Sequence, residues 1–150
     1  METTANKNTS TLLQLSALTQ YFFPLGNYIF PVVIWSFKKD ESEFVDYNGK
    51  QAINFQLSLL LYCLILMVIA VPIFLYSAFT NIDFSFTTDF DVVFNEFTIG
   101  EITTSIIIGM VAAGLAFALK VYEFILIFYA AVKNSNGEKF NFPLTINFIK

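Results

Sequence analysis

The sequence contains no histidine and no arginine, and its one cysteine, Cys63, lies inside an apolar run. Without histidine, the chain lacks the commonest metal ligand and the usual general base near neutral pH. A lone cysteine forms neither a disulfide framework nor a thiolate metal cluster. These absences predict a protein that is not an enzyme, with no catalytic residues, no metal site and no cofactor.

Charge is also scarce. Charged residues make up 13% of the chain, whereas about 25% is usual in a soluble domain. The hydrophobic fraction is 56%, against roughly 45–50% in a typical soluble domain. The net charge of −4 without a basic cluster argues against nucleic acid as a partner. Long uncharged apolar runs indicate an all-α integral membrane protein whose main partner is the lipid bilayer.

Three apolar membrane segments are predicted, at about residues 12–37, 50–80 and 99–133. Together with their connections they form one helical membrane domain, residues 12–150, after a polar N-terminal tail, residues 1–11. A domain of this size is what a chain of 150 residues allows.

The first segment is ambiguous, because it is broken by turn-forming residues. As one helix it would be about 39 Å long, enough to cross a core of about 30 Å with some tilt. Its middle, however, contains Pro24, Gly26, Asn27 and Pro31, which favour a turn. The segment is therefore either one kinked span, which its length favours and which we expect, or a re-entrant hairpin.

Lysine positions predict the orientation. Lysines flank the loop at 38–49 and the C-terminal end, whereas the acidic, aromatic loop at 81–98 contains none. The first loop and the C-terminus should therefore be cytoplasmic and the acidic loop external. Three spans would place Lys7 outside, against this rule, whereas the hairpin would place it inside. The alternating apolar residues of the tail, residues 137–150, predict an extended segment on the membrane surface.

The acidic loop also raises the question of a cation site. Its carboxylates are those of Asp83, Asp89, Asp91 and Glu96. They lack the spacing of an EF-hand loop, so a solvated acidic loop is the expected structure.

Two polar groups lie where a membrane makes them costly. Lys120 and Glu123 fall near the middle of the third apolar run, at an i,i+3 spacing that allows an intramembrane ion pair. Small residues precede them on the same helix face and predict a helix-packing surface; these are Gly109, Ala112, Ala113 and Ala116. The pair either fixes the rotation of the helix or lines an ion path.

A polar stripe at helical spacing marks the start of the second segment: Gln51, Asn54, Ser58 and Tyr62. Lipid offers these groups no hydrogen-bond partner. We expect this face to pack on the broken first segment, with a cleft for a partner protein as the alternative.

Three stretches resemble a family of small bacterial membrane proteins: LSALTQYFFPLGNYIFPVVIW, KKDESEFVDYNGKQAINFQLSLLLY and AAVKNSNGEKFNFPLTINFIK. That family has no established activity and is described as similar to the twenty-kilodalton subunit of the chloroplast inner-envelope import translocon. It often carries a histidine where this chain has Asn48. The resemblance implies a bacterial inner-membrane protein, a distant link to protein translocation, and four membrane segments with both termini on one side.

These observations favour a small non-catalytic, multi-pass membrane protein that acts as a scaffold or accessory subunit. It is expected to associate with other membrane proteins or with itself. The alternative is a pore or carrier for a small ion or solute that uses the Lys120/Glu123 face.

Overall fold

The computed structural model of the chain describes residues 2–79 and 99–150, and the side chains of residues 2–76 and 106–150. Four α-helices occupy most of these residues: α1 (Thr4–Ser16), α2 (Gly26–Lys38), α3 (Glu43–Phe79) and α4 (Ile99–Ser135). Short 3-10 turns follow α1 at Ala17–Tyr21 and α2 at Lys39–Glu41. The described residues include no β-strand, so the expectation of an all-helical protein is confirmed.

The first apolar segment is not one kinked span, and that expectation is wrong. It forms two helices, α1 and α2, of 13 residues each. At about 20 Å in length, neither helix can cross a membrane core of about 30 Å alone. The two helices pack against each other as a hairpin.

The turn between α1 and α2 has a local cause. Leu25 adopts a left-handed conformation with φ of 62°, which reverses the chain just before α2. Gly26 lies against Thr19, so that a Cβ on Gly26 would stand 2.8 Å from the Thr19 carbonyl carbon. Glycine therefore permits the close approach that closes the hairpin. Pro31, by contrast, lies inside α2 without ending it.

Among the described residues, two helices, not three, are long and apolar enough to cross a membrane. These stretches are Glu43–Tyr76 of α3 and Ile106–Ser135 of α4. The helix α3 starts at Glu43, before the expected position 50, and Ser42 caps it by accepting a hydrogen bond from the Phe44 backbone N–H. Asp46 therefore lies inside the first turns of the helix, where it forms an i,i+4 ion pair with Lys50 at 2.7 Å.

The chain divides into two compact units. The first, the polar-core unit, comprises residues 1–61 and 119–150; the second comprises residues 62–118. In the second unit, apolar side chains of α3 and α4 such as Val68, Met110 and Phe117 are largely exposed. The polar-core unit buries apolar side chains, among them Leu13, Phe44, Phe55 and Ile127, together with many polar ones. The candidate site lies in this unit.

Candidate functional site

Three buried amide side chains join α1, α3 and α4 at one end of the polar-core unit. The Gln14 Nε2 group donates to Asn134 Oδ1 at 3.0 Å and to the Asn48 backbone carbonyl at 3.3 Å. Asn134 Nδ2 donates in turn to Asn48 Oδ1 at 2.9 Å. All three side chains are almost fully buried. Because each amide offers both a donor and an acceptor, this amide cluster specifies how the three helices meet.

A second polar cluster contains the charges expected inside the membrane. Lys120 Nζ lies 2.8 Å from Glu123 Oε2, so the structure places the two residues in an ion pair. Gln20, just after α1, donates to Glu123 Oε1 at 2.9 Å and accepts from Lys120 Nζ at 2.8 Å. The result is a closed triad in which one glutamine side chain from the hairpin hydrogen-bonds both the ammonium group and the carboxylate.

The residues of the polar stripe on α3 do not all contact the same part of the chain. Asn54 Oδ1 accepts from the backbone N–H groups of Phe148 and Ile149, and its Nδ2 donates to the Ile149 carbonyl. Ser58 Oγ accepts from the Ile146 backbone N–H at 2.8 Å. These residues therefore hold the C-terminal tail, and the expectation that Asn54 packs on the first segment does not hold.

The first segment instead meets α3 through a different amide. Asn27 of α2 donates to Gln56 Oε1 at 2.7 Å, and both side chains are buried. Gln51 is also buried, and its Oε1 has no hydrogen-bond partner among the described residues. Tyr62, the last residue of the stripe, belongs to the second unit.

The end of the polar-core unit that carries residues 38–49, where α2 passes through a short connection into α3, is held by charged groups. Trp35 Nε1 donates to Asp46 Oδ1 at 2.9 Å, and Lys139 forms an ion pair of 2.7 Å with Glu43. The hydrogen bond to Glu43 raises the pKa of Lys139. The loop at 38–49 and the base of the C-terminal tail therefore lie at one end of this unit.

The predicted helix-packing surface lies in the second unit. A Cβ on Gly109 would meet no atom within 4 Å among the described residues. Ala112 is half-buried, whereas Ala113 and Ala116 are exposed. Within the part of the chain that the structure describes, this surface is therefore open at Gly109, Ala113 and Ala116 and partly covered at Ala112.

The described residues hold no group of three or more His, Cys, Asp or Glu side chains that could bind a metal ion. The carboxylates of the acidic loop at 81–98 lie outside the described residues. The amide cluster, the triad and the side chains that bind the tail form hydrogen bonds with one another and with the backbone. These bonds fix the arrangement of the helices.

Sequence reasoning missed the amide cluster and the side chains that hold the tail. Asn134 lies in the run KNSNG at the end of the third apolar segment, and the resemblance alone draws attention to Asn48. A usable signal existed, because Gln14, Asn48 and Asn134 are amides at the ends of three apolar segments. Lipid would leave such groups without partners, so their meeting could have been proposed.

Comparison with known families now identifies the chain. Residues 5–149 match the model of the magnetosome magnetite crystal formation protein family, MamF_MmsF, and the chain belongs to that family. The expectation of a family of small bacterial membrane proteins is confirmed at that level, whereas similarity to the import translocon finds no support. No curated protein and no solved structure matches the chain. These comparisons likewise support neither a link to protein translocation nor a pore.

Proposed function

We propose that this member of the magnetosome magnetite crystal formation protein family is a non-catalytic accessory protein of a bacterial magnetosome membrane. The observation that carries the proposal is the family match, which covers residues 5–149 and thus all four helices. In this proposal α3 and α4 cross the membrane and the α1–α2 hairpin stays on the cytoplasmic side of the bilayer. Two apolar helices of sufficient length support the membrane placement.

The proposed orientation brings the acidic loop to the interior of the compartment. Lysines concentrate at the loop 38–49 and at the C-terminal end, which the positive-inside rule assigns to the cytoplasm. The loop at 81–98 then faces away from the cytoplasm, toward the space where a crystal grows. It carries four carboxylates and no lysine.

The acidic loop gives the proposed role a chemical basis. Carboxylates are common ligands of iron in proteins, and a mineral surface of iron oxide exposes iron cations. We propose that the loop contacts the growing crystal or its iron, while the polar-core unit anchors the protein in the membrane. The protein then acts as a scaffold beside the mineral and does not turn over a substrate.

The proposal is tested in a magnetosome-forming bacterium whose own family member has been deleted. Expression of this chain should restore crystal size, measured by electron microscopy of at least several hundred crystals per strain. The variant in which Asp83, Asp89 and Asp91 become asparagine should fail to restore it while remaining in the magnetosome fraction.

A matched control separates the acidic loop from charge in general. The change Asp40→Asn with Glu41→Gln removes two carboxylates from the predicted cytoplasmic loop and should restore crystal size fully. Equal restoration by the Asp83/Asp89/Asp91 variant would exclude a role for the acidic loop. Failure of the unaltered chain to reach the magnetosome membrane would exclude the proposed function itself.

A further inference from the structure

The C-terminal tail runs along α3 toward the apolar part of that helix. Near its start, the Phe140 backbone N–H donates to Asn48 Oδ1 at 3.1 Å. Further on, the Ile146 N–H donates to Ser58 Oγ at 2.8 Å. From Asn48 to Ser58 a helix rises about 15 Å, and the chain from Phe140 to Ile146 can span at most about 21 Å. The tail therefore descends along α3 from the charged end of the unit.

The tail turns twice. Pro143 and Leu144 form a first turn, with Leu144 at φ of 58°. A tighter turn follows, in which the Phe148 N–H donates to the Ile146 carbonyl at 3.1 Å, and the tail returns to the level of Asn54, which binds Phe148 and Ile149. The tail therefore enters along α3, reaches Ser58 at Ile146 and comes back from there, with a lysine at each end, Lys139 and Lys150.

Side chains of the helices bind several backbone groups of the tail. Tyr122 Oη donates to the Pro143 carbonyl at 3.3 Å, and Asn54 Nδ2 donates to the Ile149 carbonyl at 2.9 Å. Ser58 and Asn54 accept from N–H groups, as described above. Pro143 has no N–H to satisfy. Irregular backbone survives at membrane depth only where protein groups bind it in this way.

The side chains of the tail divide into an inner and an outer set. Phe142 is buried and stacks on Phe55 of α3 with ring centroids 4.3 Å apart. The outer set is exposed and contains three large apolar side chains, Leu144 at 73%, Ile146 at 40% and Phe148 at 49%, together with the amides Asn141 and Asn147. No charged residue lies between Lys139 and Lys150.

α4 also presents exposed apolar side chains where it binds the tail. Val121 and Ile125 flank Tyr122, whose hydroxyl binds the tail, and both are exposed apolar side chains of a helix long enough to span a membrane. A tail in water would leave all of these apolar groups in solvent, which is unfavourable. Lipid acyl chains are the partner that this surface fits.

We propose that residues 140–149 form a re-entrant segment whose outer side chains contact lipid acyl chains. This inference rests on the proposed membrane location of α3 and α4, and it differs from the sequence-based expectation of a tail on the membrane surface. Lys139 and Lys150 extend their ammonium groups to the headgroup region.

The test uses the full chain, with Cys63→Ala, in phosphatidylcholine/phosphatidylglycerol vesicles. A nitroxide spin label is attached through cysteine at Leu144, and in parallel at Phe148, so that neither position alone decides the result. Met67, an exposed apolar residue of α3, serves as the membrane reference, and Asn136, exposed after α4, as the water reference. The readout is the relative collision of each label with oxygen, which partitions into lipid, and with a water-soluble nickel chelate.

The readout is the ratio of oxygen collisions to nickel-chelate collisions. At Leu144 and Phe148 this ratio should lie within about twofold of the ratio at Met67. The ratio at Asn136 should be at least tenfold lower. Water-like ratios at both tail positions with a lipid-like ratio at Met67 would overturn the re-entrant segment and leave the membrane location intact. A water-like ratio at Met67 would overturn the membrane location and this inference with it.

Discussion

Lys120 and Glu123 lie one helical turn apart on α4 and share an ion pair of 2.8 Å, but their surroundings differ sharply. The Glu123 side chain is 1% exposed, whereas that of Lys120 is 51% exposed. The Glu123 carboxylate is thus shielded from water and relies on protein groups for its hydrogen bonds. Gln20 from the hairpin is one of these groups. Besides the neighbour one turn away that the sequence predicts, the Glu123 carboxylate therefore has a hydrogen-bond partner 103 positions away in the chain.

Removing Lys120 should therefore destabilise the protein more than removing both charges. We expect Lys120→Met to lower the free energy of unfolding by about 1–3 kcal/mol, because a buried carboxylate loses a charged partner. The double variant Lys120→Met with Glu123→Leu should recover most of that loss, since no charge then stays buried. Thermal unfolding in mild detergent measures both. Equal stability of the single and double variants would place the pair at a solvated surface.

The amide cluster makes a separate prediction about stability. Asn134→Leu removes the donor to Asn48 Oδ1 and the acceptor for Gln14 Nε2. We expect a loss of about 2 kcal/mol, because these groups stay buried with fewer partners. The control is Asn8→Leu at an exposed position of α1, which should change stability by no more than about 0.5 kcal/mol. Similar effects of the two changes in a chemical or thermal unfolding series would contradict the role of the cluster.

Two residues of α3 should act on different parts of the chain. Asn54→Leu removes the hydrogen bonds to Phe148 and Ile149 and should speed amide hydrogen exchange there by about tenfold. Gln56→Leu is the matched control, since Gln56 bonds Asn27, and should speed exchange at the start of α2 instead. Hydrogen exchange with mass spectrometry resolves the two regions. Faster exchange at residues 20–31 in the Asn54 variant would restore the sequence-based expectation.

The hairpin predicts which positions share a side of the membrane. Lys7 of α1 lies over Gly137, and Glu43 pairs with Lys139, so Thr4 and Ser42 lie at the same end of the polar-core unit. Cysteines at these two positions should react with an impermeant thiol reagent from the cytoplasmic side only. A cysteine at Ser85, outside the described residues, should react only from the opposite side. Labelling of Thr4 and Ser42 from opposite sides would contradict the hairpin.

The small-residue surface predicts self-association. Gly109→Leu adds a large side chain to the packing surface, where the single chain leaves open space, and should weaken the oligomer at least tenfold without unfolding the chain. Gly114→Leu is the matched control, because Gly114 is equally open but lies on another face of α4. Crosslinking and size measurement in detergent compare the two. Identical oligomeric states in the two variants would mean that this surface does not mediate association.

The sequence by itself determined whatever depends on near neighbours in the chain. Apolar runs of sufficient length predicted the two long helices, and helical periodicity alone placed Lys120 one turn before Glu123 and Asp46 one turn before Lys50. The turn residues around Pro24 marked the place where the first segment reverses. The length of that segment predicted a single span, and this was wrong because α1 ends at Ser16 and the backbone turns left-handed at Leu25 before α2 begins.

Tertiary structure alone decided which buried polar groups meet. The stripe on α3 showed that Asn54 and Gln56 require partners, since an unsatisfied amide is costly away from water. It did not show that Asn54 binds the tail 95 residues later while Gln56 binds Asn27. An amide presents the same donor and acceptor to any neighbour, so its chemistry specifies that a hydrogen bond forms. The packing of the helices specifies with which residue.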